Sequence, residues 1–263
     1  MGKTFKKSNQ LIHAYNSGCL LANQLFAIGM QNIFIDENNR VVSTMYEEDI
    51  KEGLNLSSDS VYKSISELCN KDTTASSIYE WKIMYKDSKT GKMMEHAMVS
   101  AASFQNRTLK ITYNDTVTDL ILNLKKNATL LDFSESMSFE TNCSYRLYEL
   151  IKAEYALKTK ELKKSGEISA DYNLIELKLM LGDIDYKVVP MISEELEKKS
   201  PDYKRIEDIV NSTGFDIHKE YSYFNEEILS GAVRELNEKT SLKVEYVPID
   251  DGRTVTGVRF LIS

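Results

Sequence analysis

Between Glu47 and Asn70 the chain carries a pattern that dictates two helices meeting at a sharp turn. Glu47 to Glu52 predicts a short acidic helix, Gly53-Leu54-Asn55-Leu56 a turn, and Ser57-Ser58-Asp59 an N-cap for a second helix. Val61, Ile65 and Leu68 then recur at i, i+4 and i+7, with Tyr62 and Cys69 beside them, so this helix buries one face. Helix, glycine-containing turn and capped helix follow the order of a helix-turn-helix. Strand signals come next: Ile78 to Lys86, Met94 to Phe104 and Thr108 to Tyr113, with hairpin loops at Ser88-Lys89-Thr90-Gly91-Lys92 and Gln105-Asn106-Arg107. A helix from Asp115 to Lys126 is expected to close this half. Upstream, Ser8 precedes Leu11 and Ile12, and Leu20, Leu21, Leu25, Phe26, Ile28 and Ile33 follow at near-helical spacing, which predicts two helices broken around Asn16-Ser17-Gly18. Helices backed by a small antiparallel sheet suggest a winged helix.

The second half repeats this plan without repeating the sequence. Helices are expected over Tyr145 to Leu157 and Leu174 to Leu181, the latter ended by Gly182. A polar insertion from Ile184 to about Lys219 contains one helix, Tyr203 to Val210. A long helix then runs from about Tyr223 to Lys239 on Phe224, Ile228, Val233 and Leu236. Leu242 to Pro248 and Thr254 to Ile262 flank Asp250-Asp251-Gly252, a strong hairpin turn. The fold class expected is therefore α+β, two tandem winged-helix domains, divided as residues 1–135 and 136–263. The junction should lie near Asp132 to Ser138 without a long linker, since three prolines and eleven glycines supply no Pro-rich or Gly/Ser-rich stretch.

Charge and cysteine content narrow the function classes. The net charge of -7 splits into -1 over residues 1–135 and -6 over the remainder, which runs against the basic balance usual for nucleic-acid binding but leaves room for a local basic face. Cys19, Cys69 and Cys143 are widely spaced and odd in number, as in reduced thiols of a cytoplasmic protein. The weakly polar run from Gly18 to Met30 is too short to span a bilayer, and no apolar region follows Lys3, Lys6 and Lys7 as a signal peptide would require. His13, His96 and His218 are isolated, and the cysteines form no C-x-x-C pair, so neither a metal site nor a cofactor is expected. No P-loop, His-x-His pair or G-x-S-x-G elbow is present, so no catalytic residue is assigned and no enzyme is expected.

Four stretches, in order, carry a resemblance to a known family: Lys7-Ser8-Asn9-Gln10-Leu11-Ile12 with the Leu20 to Asn32 helix; Ser144-Tyr145-Arg146-Leu147-Tyr148-Glu149-Leu150-Ile151-Lys152; Glu176-Leu177-Lys178 with Leu181-Gly182; and Phe224 to Ile262, including Glu235-Leu236-Asn237, Thr240 and Gly252-Arg253-Thr254-Val255. Together they resemble the Rep initiators of iteron-controlled, theta-replicating plasmids. That resemblance implies binding to double-stranded DNA at direct repeats of an origin, recruitment of host replication proteins such as a helicase or initiator, autorepression and a homodimer. It further implies that the first domain supplies dimer and accessory DNA contacts, while the second reads the iteron.

By the same resemblance, the start of the Phe224 helix would enter the major groove and the wing hairpin would reach phosphates. The DNA-binding candidates are Lys219, Tyr221, Ser222, Tyr223, Asn225, Arg234 and Arg253. Phe224-Asn225-Glu226-Glu227 departs from the family, which commonly has basic residues after the aromatic. Three explanations stay open: altered readout, glutamates facing away from DNA, or weak binding. The acidic Glu194-Glu195-Leu196-Glu197 segment has no counterpart.

Blander readings stand beside these. Arg146 is expected to pair with Glu149 on its own helix surface more often than to touch phosphate, and Tyr148 to pack in a core. Lys3, Lys6 and Lys7 read either as a DNA-contacting arm or, by default, as a solvated end. Arg253 is as consistent with a solvated turn as with a phosphate contact. A protein-interaction module or transcriptional repressor built on the same fold is the alternative to a DNA-reading initiator.

Overall fold

The computed structural model describes residues 3–70, 77–87, 90–125, 127–198, 200–215 and 218–263. The chain folds into two units. One takes Met1–Leu11, Ser17–Met84 and Glu95–Ser138; the other takes Ile12–Asn16, Tyr85–Met94 and Phe139–Ser263.

In the first unit the helix-turn-helix forms as its residues predict. The helix Glu47–Leu54 stops at Asn55, which adopts φ 51 and ψ 47, the left-handed conformation asparagine tolerates. Ser57 then accepts from the Ser60 N–H and starts the helix Ser58–Leu68, which buries Val61, Ile65 and Leu68. Behind these helices lies a four-stranded antiparallel sheet in the order Ile33–Ile35, Val41–Tyr46, Thr108–Tyr113, Val99–Gln105. Asn106 and Arg107, both at positive φ, form the two-residue turn between the last pair. The helix Leu20–Gly29 drives Leu25, Phe26 and Ile28 into the core, where Phe26 meets Trp81 and Tyr113 edge-on at 6.1 and 5.9 Å.

Several expectations for this unit need correction. Lys6 and Lys7 are not an arm or a loose end: Thr4–Ser8 is a strand paired with Ala128–Asp132, and Lys7 is buried with its ammonium over the Phe26 ring. The first helix is only Asn9–Ile12. Ile33 belongs to a strand rather than the helical repeat. The Met94 to Phe104 stretch divides at Met98 into Met93–Ala97 and Val99–Gln105, Met98 bonding back to the Trp81 carbonyl. The closing helix shortens to a 3-10 turn, Asp115–Val117, and Thr118–Leu122; Lys126, like Ser88 and Lys89, lies outside the described residues.

The second unit is built on the helix Asn142–Leu157, capped by Thr141 and buried along Tyr145, Leu147, Tyr148, Leu150 and Ile151. Arg146 is not on the surface. Its side chain is fully buried, 2.5 Å from Glu149, with further bonds to the carbonyls of Met180 (3.2 Å), Ile12 (2.7 Å) and Ala14 (2.9 Å). The expected pair exists, but it is an interior pin. A strand the sequence reading lacks, Ile168–Asn173, alternates Ile168, Ala170 and Tyr172 inward and leads directly into the Leu174–Leu181 helix, where Asn173 caps the first N–H groups. With Val244–Asp250 and Val255–Ile262 it forms a three-stranded sheet, the Val255–Ile262 strand central.

The insertion is less polar than its composition suggests. It holds two helices, Pro190–Leu196 and the expected Tyr203–Thr213, which bury Ile192, Leu196, Ile206, Ile209 and Val210. Tyr203 donates to Glu176 at 2.9 Å and lies 2.9 Å from the Tyr15 hydroxyl. Glu195, within the acidic run, is buried against Lys198 and Arg205, and Lys198 holds its carboxyl below the usual range.

Candidate nucleic-acid interface

The long helix of the second unit starts at Tyr221 and runs to Lys239, but not as a uniform α-helix. Tyr221–Phe224 is α-helical, Asn225–Leu229 forms a π turn, and Ser230–Lys239 is α-helical again. Such wide turns are rare and concentrate at functional sites. One side of the helix is anchored by Phe224, Leu229, Ala232, Val233 and Leu236, all buried. Phe224 has the ammonium of Lys178 over its ring at 5.3 Å, and that fully buried lysine donates to the His218 carbonyl at 2.5 Å. The segment entering the helix is thus fixed by a cation from the Leu174–Leu181 helix. His218 is not an isolated polar residue either, because its ring nitrogen lies 2.7 Å from Asp183.

The wing is equally defined. Asp251 accepts from the N–H groups of Arg253 and Thr254, and Gly252 takes φ +86 at the tip. The same two bonds hold the Asp251 carboxyl below its usual range, the Thr254 one contributing more. A bulge between Ile249 and Asp250 twists the end of the hairpin. Pro248 is tolerated because its strand is at the sheet edge. Gly257 has a steric reason: a Cβ there would come within 2.5 Å of the Tyr172 carbonyl.

Of the candidate residues, the structure brings Tyr221, Ser222 and Tyr223 together in the first turn. Ser222 is exposed, Tyr223 is 57% exposed and Tyr221 is half-buried, its phenol raised in pKa first by that burial. Lys219 is exposed just ahead of them. Asn225 is already engaged: it accepts from the Tyr246 hydroxyl at 2.7 Å, which joins the helix to the wing strand. Arg253 is exposed at the wing turn. Arg234 is on the same helix but eleven residues beyond Tyr223, about 16 Å along the axis at the α-helical rise. It lines a groove beside the Asn142–Leu157 helix with Glu140, Glu227, Glu235, Glu238 and Lys239. Lys239 there bridges Glu140 (2.9 Å) and Glu235 (2.6 Å).

The two glutamates that break the family pattern therefore separate. Glu227 lines the groove, while Asn225 two residues earlier meets the wing; Glu226 is exposed on the π turn. Sequence reasoning missed Tyr246 and Lys178. Tyr246 had a signal in the alternation of its strand, whereas nothing marks Lys178 as buried. Arg259 lies on the exposed sheet face, but its charge is committed to Asp171 through bonds of 2.7 and 2.6 Å. Among the described residues no cluster of His, Cys, Asp or Glu would hold a metal ion, and no helix is long and apolar enough to cross a membrane.

Residues 4–152 match the family model described as Initiator Replication protein, WH1, and residues 195–262 match that described as Initiator Rep protein, WH2. No curated protein matches the chain. Among solved structures, domains 2 and 3 of RctB align over 93% of this chain and 80% of that one, at 13% identity and a TM-score of 0.36.

Proposed function

The chain belongs to the initiator replication protein family, with two winged-helix domains in tandem, and from that premise we propose that it starts plasmid replication by reading directly repeated origin DNA. The observation that carries this reading is the pairing, within one unit, of a helix start exposed at Ser222 and Tyr223 with a wing whose turn is exposed at Arg253, the helix being tied to the wing strand by the Asn225–Tyr246 bond. A helix in the major groove reads base edges, and a wing beside it neutralises phosphate. Ser222 and Tyr223 are the base-facing candidates. Lys219 and Arg253 are the phosphate contacts, and Arg234 contributes charge further along. The first domain carries the homodimer contact and accessory DNA contact. The finer roles, autorepression and recruitment of a host helicase or initiator, follow from the same reading and need no catalytic group of the chain's own.

A gel-shift titration against the direct repeats flanking the gene, with a scrambled duplex beside it, tests the proposal. Preference for the repeats with a steep salt dependence is the expected result. Arg253→Ala should weaken repeat and scrambled DNA by a similar factor. Binding that ignores both sequence and salt would favour the interaction module, for which the acidic groove of Glu140, Glu227, Glu235 and Glu238 is the supporting feature.

A further inference from the structure

The short helix Thr159–Ser165, between the buried helix of the second unit and its first strand, carries an unusual concentration of charge. Residues 158–164 hold four lysines and one glutamate, net +3, inside a half of the chain whose net charge is -6. Lys158 is spent locally, on Glu154 at 2.8 Å and the Ser169 carbonyl at 2.7 Å. Lys160, Lys163 and Lys164 are exposed.

Helix stability accounts for part of this arrangement. Lys163 and Lys164 lie in the last turn, where cations complement the helix dipole, and Gly166 closes the helix in the left-handed conformation. Lys160 lies in the first turn, where a cation opposes the dipole. A solvated face would not need it there. Nor does the cluster look like the core of a protein interface, which is built on desolvated aromatic, methionine and arginine anchors and depleted of lysine; the apolar side chains exposed just before it are Leu157 and the small Ala156. Free ammonium groups without apolar anchors match a polyanion whose charges repeat.

Strand register gives the position. Ile168 pairs with Ile262, and Asn173 with Gly257, so the lysine helix joins the sheet at the end opposite the wing turn. The Val255–Ile262 strand spans about 24 Å at the usual rise per residue. The lysine helix therefore joins the sheet about that far from the wing turn.

We propose that Lys160, Lys163 and Lys164 form a second phosphate-binding face, which takes the backbone of duplex DNA outside the segment read by the Tyr221–Lys239 helix. The inference rests on that helix reading DNA. The test uses the full chain and the triple variant Lys160→Gln, Lys163→Gln, Lys164→Gln, with fluorescence anisotropy on two duplexes. One duplex holds a single repeat; the other extends it by about 15 base pairs on each side, or roughly 50 Å at 3.4 Å per pair. Neutralising three phosphate contacts should reduce the salt slope on the long duplex by about 2.7. Between 50 and 200 mM salt, that is a loss of affinity about 40-fold smaller than the parent shows. On the short duplex the slopes should coincide. Equal slopes on the long duplex would overturn the proposal and leave the lysines to an acidic protein surface. Failure of the underlying reading looks different, because the parent chain would then not prefer the repeat over a scrambled duplex of either length.

Discussion

Arg146 is the residue whose loss should cost the second unit most. Its guanidinium is fully buried, charge-paired with Glu149 and bonded to three backbone carbonyls, two of them in the Ile12–Asn16 segment. Arg146→Met keeps much of the volume but strands a buried carboxylate, to which Tyr145 also bonds, and removes donors from Met180, Ile12 and Ala14. Removing one partner of a buried pair costs about 3–5 kcal/mol, a large share of the ~5–15 kcal/mol that holds a domain folded. With a urea slope of about 3 kcal/mol per molar, the midpoint should fall by about 1 to 2 M. The sequence has a single tryptophan, Trp81, and it lies in the first unit. Far-UV circular dichroism should therefore show the early transition, while tryptophan fluorescence keeps a midpoint near the parent's. Replacing the pair together, Arg146→Met with Glu149→Leu, should recover most of the loss, since no charge is then left buried. A single variant unfolding at the parent's midpoint, or a double variant as weak as both singles summed, would refute the argument.

Tyr246→Phe and Asn225→Ala should each cost about 1 kcal/mol and weaken repeat binding. In a double-mutant cycle their effects should fail to add, because both remove one 2.7 Å bond between helix and wing. Glu154 is held below its usual carboxylate value, first by His13 and then by Lys158. Its stabilisation is therefore complete above the ordinary value of 4.5 and fades as pH falls through the lowered one, so Glu154→Gln should flatten the acid limb of a stability profile measured by urea titration. Burial pushes the Cys69 thiol up to about 11 and that of Cys143 to about 12. Both should resist iodoacetamide at pH 8 in the folded chain and react once it is unfolded, with mass spectrometry counting the adducts.

How legible these features were depended on the range of the interactions that make them. The helix-turn-helix could be read because Ser57 caps its own helix and Asn55 ends the previous one, both within a few residues. The wing could be read from Asp250-Asp251-Gly252 for the same reason. Arg146 gave the wrong impression because its decisive partners are 34 and more than 130 residues away, and a surface pair with Glu149 looks identical in sequence. Glu194-Glu195-Leu196-Glu197 hid an amphipathic helix, since the eye follows the charges and not Ile192 and Leu196 beneath them. Thr4–Ser8 was obscured by lysines that a strand edge accepts readily. At the candidate interface, the exposed first turn followed from the helix start, but the π turn and the Asn225–Tyr246 link are tertiary facts without a local signature.

The second unit takes a segment from near the beginning of the chain, and this sets the order in which the protein is able to form. Ile12 waits for Arg146, 134 residues later, and Tyr15 waits for Tyr203, 188 residues later. At 5–20 residues per second, the ribosome supplies that second partner roughly 10–40 s after the first. Contacts this distant close late and slow folding. Until Arg146 emerges the Ile12–Asn16 segment has none of these bonds, and until Tyr203 emerges it lacks the Tyr15 one, although Thr4–Ser8 beside it can already pair once Ala128–Asp132 has emerged. A chain released before residue 203 lacks the Tyr15 partner and the whole Tyr221–Lys239 helix, and a cut that separates residues 136–263 leaves Arg146 with two carbonyls missing. The second unit therefore completes only once residue 203 has joined a segment made 188 residues earlier.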